Sequence, residues 1–314
     1  MNVGSEGRLK IVDLFKTILP SALHNPTLLR NPQLLLYALV HRNLSDITRE
    51  YQRSRQLLFS RFDGIPVKTK LGFELYLNIH DEFVSIPIWQ NRVYEPSVTS
   101  VFQSIVKPGM TVLDIGANLG YYTVLASKLV GERGKVYAFE PEPRNYALLL
   151  RNVGLSSSHN VQVLNEAATD FVGITGLGLS DTNPGDHRLR SPIAWDRKEI
   201  QVHCTTVDDF LGQGQAVNLA KLDIQGAERK CLRGMVKTIS SNPFLKLIVE
   251  FSPFHLEAQG SSASDFIDFV ESLNFRFVDI TPKGLIRRTK RELLRVYTRE
   301  NSKDTNLLLY RSVS

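Results

Sequence analysis

From about residue 100 onward, short apolar runs alternate with stretches whose apolar residues recur every three or four positions. This is the signature of strands alternating with helices. Residues 111–115 read as a buried strand, followed by a turn from Gly116 to Gly120 and a helix carrying Val124, Leu125 and Leu129. Gly131 and Gly134 stop that helix. Residues 135–140 form the second strand, and Pro143 opens a helix with Tyr146, Leu149, Leu150 and Val153 at helical spacing. Residues 161–165, 217–223 and 245–251 supply three more strands. One helix runs through Cys231, Leu232, Met235 and Ile239, and another carries Phe266, Phe269, Val270 and Leu273 behind Ser264 as expected N-cap. The last strands are 275–280 and 306–311, separated by a basic helical insert over 283–300.

The flanks read differently. Residues 8–60 suggest short helices broken by Pro20, Pro26 and Pro32. Residues 67–88 alternate apolar and polar positions, so a β-hairpin with its turn near Asp81 and Glu82 is the simplest expectation. Residues 166–205 break the strand–helix rhythm with a Gly/Asp/Pro-rich loop (180–190) between two alternating stretches. The expected organisation is a helical extension over 1–65, a hairpin over 66–98 and an α/β domain over 99–314. Helices between consecutive strands imply a mostly parallel sheet covered on both faces, and the last strand pair implies one antiparallel strand at the edge. Ligands of such sheets bind beyond the carboxyl ends of the strands, where strand order reverses.

Composition narrows the class. With 314 residues and 42% hydrophobic content the chain can bury a core. Two cysteines, Cys204 and Cys231, exclude a disulfide framework or a four-thiolate metal site. The longest apolar run, residues 34–40, is far short of the roughly 20 needed to span a bilayer. The expectation is a cytoplasmic protein. The net charge of +6 is unevenly spread: residues 1–70 and 281–314 each carry an excess of six basic groups, whereas 71–280 carry 18 basic and 24 acidic side chains. Basic ends flank an acidic middle, and peripheral contact with an anionic membrane is the partner that such ends suggest.

The densest chemistry is Thr111-Val-Leu-Asp-Ile-Gly-Ala-Asn-Leu-Gly120, a strand ending in an acid and a glycine-bearing turn into a helix. A dinucleotide fingerprint counted from Gly116 needs glycines at 118 and 121, which are Asn118 and Tyr121, so a smaller nucleoside ligand fits better. Glu140 ends the second strand, where a carboxylate can accept two hydrogen bonds from a ribose diol. Lys221-Leu-Asp-Ile-Gln-Gly-Ala-Glu228 ends the fourth strand in Asp223 and opens a helix.

Three segments together resemble the FkbM family of S-adenosylmethionine-dependent methyltransferases: 108–122 with its Gly-Ala-Asn-Leu-Gly core, Val136-Tyr-Ala-Phe-Glu-Pro141, and 221–228. Tyr94-Glu95-Pro96 and the strand ending at Glu250 are similar features. The resemblance spans roughly 90–280. It implies a class I methyltransferase fold of seven strands with S-adenosylmethionine as cofactor. Asp114, Gly116, Asn118 and Gly120 would line its methionine and ribose portion, with Glu95 upstream. Glu140 would hold the ribose hydroxyls, Glu166 and Ala167 would flank adenine, and Asp223 would sit beside the transferring methyl. Gln225 stands where the family usually has glutamate, which weakens any metal site built from Asp223, residue 225 and Glu228, and no metal is expected.

The resemblance points to O-methylation of a glycan or secondary-metabolite hydroxyl, with a small-molecule or glycan acceptor and no nucleic acid. Asp223 and Glu250 lead as groups to take the hydroxyl proton, ahead of His187, His203 and His255. The contrasting expectation is a cofactor-binding scaffold without turnover that docks through its basic ends.

Overall fold

The structure, a computed structural model, describes residues 65–78, 81–180, 183, 185–191 and 197–311. The helices expected within 8–60 lie outside the described residues. The chain opens with β1 (Val67–Lys68), β2 (Glu74–Leu75), α1 (Ser85–Asn91) and α2 (Pro96–Ile105). Then come β3 (Thr111–Ile115), α3 (Tyr121–Val130), β4 (Lys135–Phe139), α4 (Pro143–Leu155) and β5 (Val161–Leu164). An insertion follows, with β6 (Ala167–Ala168), β7 (Gly173–Gly178), β8 (Arg188–Leu189) and β9 (Glu199–Thr205). The main alternation resumes with α5 (Val207–Leu211), β10 (Leu219–Leu222), α6 (Glu228–Arg233), α7 (Val236–Ser241) and β11 (Lys246–Phe251). It ends in α8 (Pro253–Ala258), α9 (Ala263–Ser272), β12 (Arg276–Thr281), β13 (Gly284–Ile286), α10 (Lys290–Val296) and β14 (Thr305–Tyr310).

Eight strands form one sheet in the order β13-β12-β14-β11-β10-β3-β4-β5. The five from β5 to β11 run parallel. Alternate residues of each strand bury on opposite faces. Leu113, Leu222 and Val249 pack with Leu232 and Phe266 on one side, and Val112, Leu219 and Ile248 with Phe102 and Val124 on the other. The chain runs outward from β3 to β5 and returns on the other side of β3 as β10. Strand order therefore reverses between β3 and β10, and the cleft opens there.

The mostly parallel α/β class agrees with the sequence, with differences in detail. Among the described residues the main sheet has eight strands, not seven. β14 runs antiparallel but lies between β11 and β12, and the edge is taken by the short antiparallel β13, built from the front of the basic insert. Leu307 and Leu309 are fully buried, as strand residues flanked on both sides become. No helix among the described residues is long and apolar enough to cross a membrane.

The expected hairpin over 67–88 shrinks to β1 and β2, turning through Gly72. Its second limb is helix α1, because Val84 and Ile88 are four apart and bury together as helical neighbours. Asp81 directs that outcome: its carboxylate accepts the N–H groups of Phe83 and Val84, both at 3.0 Å, and of Ser85 at 2.9 Å. Two further boundaries move. The helix expected through 231–239 breaks at Gly234 into α6 and α7, since a side chain at Gly234 would run into the Thr169 carbonyl. Ser262, not Ser264, caps α9 by accepting from Asp265 N–H at 3.0 Å.

Candidate active site

The carboxyl ends of β3, β4 and β10 and the insertion border a cavity that opens to solvent. Gly116, Asn118, Glu140, Glu166, Ala167 and Asp223 all line it, with Ile115, Phe139, Leu177, Leu189 and Ile224 as its apolar wall. Glu140 is fixed at the tip of β4. Its Oε2 accepts from the Asn118 N–H at 2.8 Å and its Oε1 from the Glu142 N–H at 2.9 Å. Burial pushes Glu140 up to about 7. Each carboxylate oxygen keeps further acceptor capacity toward the cavity. Gly116 is required here, because with φ at +83° an added Cβ would lie 2.0 Å from the Asp223 carbonyl oxygen. The β3 and β10 turns touch through that missing side chain.

A second cavity, also open to solvent, adjoins the first. Gly116, Asn118, Gly185, Asp223 and Gln225 line both, so the two meet at the tips of β3 and β10. Its other walls are Phe83, Val84, Tyr94, Leu119, Tyr121 and Tyr122, with Asp114 and Lys221 as further polar lining. Lys221 pairs in register with Asp114 across β10 and β3. Its Nζ donates to Asp223 Oδ2 at 2.8 Å and stands 4.5 Å above the Tyr122 ring.

Charge is arranged asymmetrically around these groups. Burial opposes the Lys221 charge, but Asp223, Glu95 and Asp114 outweigh it and hold the ammonium above its usual range. Burial also works against an ionised Asp223, yet the neighbouring Lys221 keeps it below the usual carboxylate range. Burial raises Asp114, whose Oδ2 accepts from Thr123 Oγ1 at 2.5 Å. Gln225 Nε2 donates to Asp223 Oδ1 at 3.1 Å and to Glu250 Oε2 at 3.2 Å. Glu250 is pushed up to about 7, by burial first and then by Asp223.

Other expected residues fall just outside. Gly120, Glu95 and Glu250 line neither cavity. Gly120 begins α3 in a left-handed conformation. Glu95 lies behind Tyr122, accepting from its hydroxyl at 2.9 Å and from Asn306 Nδ2 at 3.2 Å. Glu228 turns inward, with Oε1 accepting the N–H groups of Ile224 (3.0 Å) and Gly226 (3.2 Å), and so fastens the β10 turn. Among the histidines, His187 lines the first cavity with Nδ1 occupied by the Ser180 N–H at 3.1 Å. His203 is exposed on β9, and His255 Nδ1 lies 3.7 Å from Glu250 Oε2. Phe83 lies outside the motifs read from sequence, and Lys221, Tyr94, Tyr121 and Tyr122 lie inside them without a role of their own. The two-residue step from Lys221 to Asp223 on one strand was the available signal, since it puts both on the same face.

A nucleoside-bearing cofactor such as S-adenosylmethionine fits the first cavity by the chemistry of its lining. It offers acceptor oxygens on Glu140 for a diol and an apolar slot for a flat base.

Comparison with known proteins bears on the family. The Methyltransferase FkbM domain profile matches residues 114–277, just over half of the chain. "Methyltransferase 1" of Beauveria bassiana is 29% identical over 40% of this chain, which spans 57% of that relative's length. A protein-L-isoaspartate O-methyltransferase of Methanococcoides burtonii is 31% identical over 45% of this chain and 70% of its own. The 2-O-methyltransferase NoeI of Sinorhizobium fredii is 26% identical over 59% of this chain and 82% of its own.

Proposed function

This chain belongs to the FkbM methyltransferase family, and on that premise we propose that it carries the methyl group of S-adenosylmethionine to a hydroxyl of a glycan or secondary metabolite. The observation that carries this reading is the junction of the two cavities at Asp223 and Gln225. One cavity suits the nucleoside and the other is left for an acceptor. NoeI, a 2-O-methyltransferase by name, is in keeping with a hydroxyl acceptor.

When bound, the cofactor supplies an electrophilic methyl on a sulfonium, so the protein's work is positioning and exclusion of water. Glu140 accepts from the ribose hydroxyls, Glu166 and Ala167 flank the base, and Gly116 and Asn118 border the cavity junction. Asp223, kept ionised by Lys221, accepts the hydrogen bond of the attacking hydroxyl and turns its lone pair toward the methyl. A cofactor held there would supply the methyl, and the proton of the acceptor hydroxyl would pass to the Asp223 carboxylate, which borders both cavities. Glu250, pushed up to about 7, lines neither cavity and meets Asp223 only through the Gln225 amide, so we assign it the setting of charge around Asp223 and not direct contact with the hydroxyl.

The relatives carry different acceptors in their names, so the acceptor is tested directly. The protein is incubated with cofactor labelled in its methyl group and with glycan and metabolite hydroxyl acceptors. Labelled ether product is expected, with turnover lost in Asp223→Ala. Binding of S-adenosylhomocysteine without consumption of the labelled cofactor would instead favour the scaffold reading. One observation speaks for that alternative. Arg288, Lys290 and Arg299 pair with Asp279, Asp268 and Glu257, but Lys283, Arg287, Arg291 and Arg295 are exposed with no ion pair among the described residues. In that reading the chain is cytoplasmic and these cations meet an anionic membrane surface.

A further inference from the structure

Phe83 is 55% exposed, unusual for a phenylalanine, and it stands on the wall of the second cavity. Its position is built rather than incidental. Asp81 is 1% exposed and spends both carboxylate oxygens on the N–H groups of residues 83, 84 and 85, while Val84 and Ile88 anchor the following helix in the core. An aromatic ring is thus displayed to solvent from a turn held by three charge-assisted hydrogen bonds.

The interior of the same cavity is polar and of mixed sense. Lys221 gives one N–H to Asp223, leaving two more. The Asn118 amide nitrogen and the Gln225 amide oxygen have no hydrogen-bond partner among the described residues, although both residues line the cavity. Asp223 supplies further acceptor capacity. A ligand that satisfies this set must both donate and accept at several points while offering an apolar face at the mouth. A ring bearing several hydroxyls and a flat C–H face does both. A flat aromatic acceptor would cover Phe83 but leave most of the interior groups unpaired, at a penalty for each.

We propose that the second cavity is the acceptor subsite and that it takes a pyranose ring, its C–H face stacked on Phe83 and one hydroxyl reaching the Lys221–Asp223 pair. The inference rests on the methyl-transfer reading of the site and narrows its acceptor to a carbohydrate. Phe83 is then a specificity-determining residue, and Lys221 donates to the reacting oxygen while remaining protonated.

The test is saturation-transfer NMR on the full chain, with and without S-adenosylhomocysteine, using methyl pyranosides and size-matched simple phenols as probes. Pyranosides are expected to bind, with affinity about tenfold weaker in Phe83→Ala and restored in Phe83→Trp, as a stacking contact requires. Calorimetric titration with S-adenosylhomocysteine checks that each variant is folded. Equal pyranoside affinity in Phe83→Ala, absence of pyranoside binding to the parent protein, or preference for the phenols would each overturn the proposal. Failure of the methyl-transfer reading has a separate sign, namely no binding of S-adenosylhomocysteine by the parent protein, or binding of it without consumption of labelled cofactor. The pyranoside arm without that ligand still decides the role of Phe83.

Discussion

Gln225 donates from Nε2 to Glu250 Oε2 at 3.2 Å, and the same nitrogen reaches Asp223 Oδ1 at 3.1 Å. A neutral donor therefore separates two buried carboxylates that repel one another. Gln225→Glu replaces that donor with a third acid. The variant should be less stable than the parent by about 1–3 kcal/mol at pH 8, with a smaller loss at pH 5, where Glu250 holds its proton. Gln225→Met removes the donor without adding charge and should lose less at pH 8. Urea denaturation at both pH values measures this; a Glu variant as stable as the parent at pH 8 would refute the bridging role.

On the proposed ribose contact, Glu140 should make cofactor affinity depend on pH. Its carboxylate is pushed up to about 7, and a ribose diol donates to the ionised form. Binding therefore favours the deprotonated state, and affinity falls as pH drops through 7. Between pH 8 and pH 6 the dissociation constant for S-adenosylhomocysteine should rise about tenfold, as expected for one proton per site. Glu140→Gln should bind more weakly and lose this slope. Isothermal calorimetry at three pH values reads both effects.

Glu228 is pushed up to about 8, by burial first and then by Glu250. Its folded value lies above the unfolded one, so its contribution is fully present below the unfolded pKa and is lost as pH rises through about 8. Glu228→Gln retains an oxygen for the Ile224 and Gly226 N–H groups and cannot ionise. It should match the parent near pH 5 and exceed its stability at pH 9 by about 1–3 kcal/mol. Paired thermal melts across that range would show the difference growing with pH; a constant offset would contradict the assignment.

Gly116→Ala meets two obstacles, a left-handed backbone and an Asp223 carbonyl oxygen 2.0 Å from the new Cβ. The β3 and β10 turns must separate to admit it. A loss of roughly 2–4 kcal/mol is expected, together with weaker S-adenosylhomocysteine binding. Gly109→Ala is the control: its φ is also +83°, but nothing lies within 4 Å of the added carbon, so it should cost less and leave binding intact.

Much of this was readable from the chain. The apolar runs at 111–115, 219–222 and 246–251 have no polar alternation to suggest an exposed face, and each became a fully flanked strand. Six of the expected cofactor residues share one cavity because each ends a strand or begins the turn after it, and parallel strands bring those ends to one edge. Residues 84–88 show where pattern fell short: apolar residues at every second position serve a strand or, taken four apart, a helix. Asp81 decided for the helix through three hydrogen bonds that spacing alone does not announce.

By itself, then, the sequence determined the α/β alternation, the family and the turns that line the first cavity, because these depend on local periodicity and on contiguous motifs. Tertiary structure alone decided that β14 inserts between β11 and β12 and that Glu95 stands behind Tyr122. It also decided that Lys221, Asp223, Gln225 and Glu250 form one charged array and that Phe83 guards the second cavity. These are relations between segments distant along the chain, and their energies come from burial and from charges held a few ångströms apart, which only the folded arrangement creates.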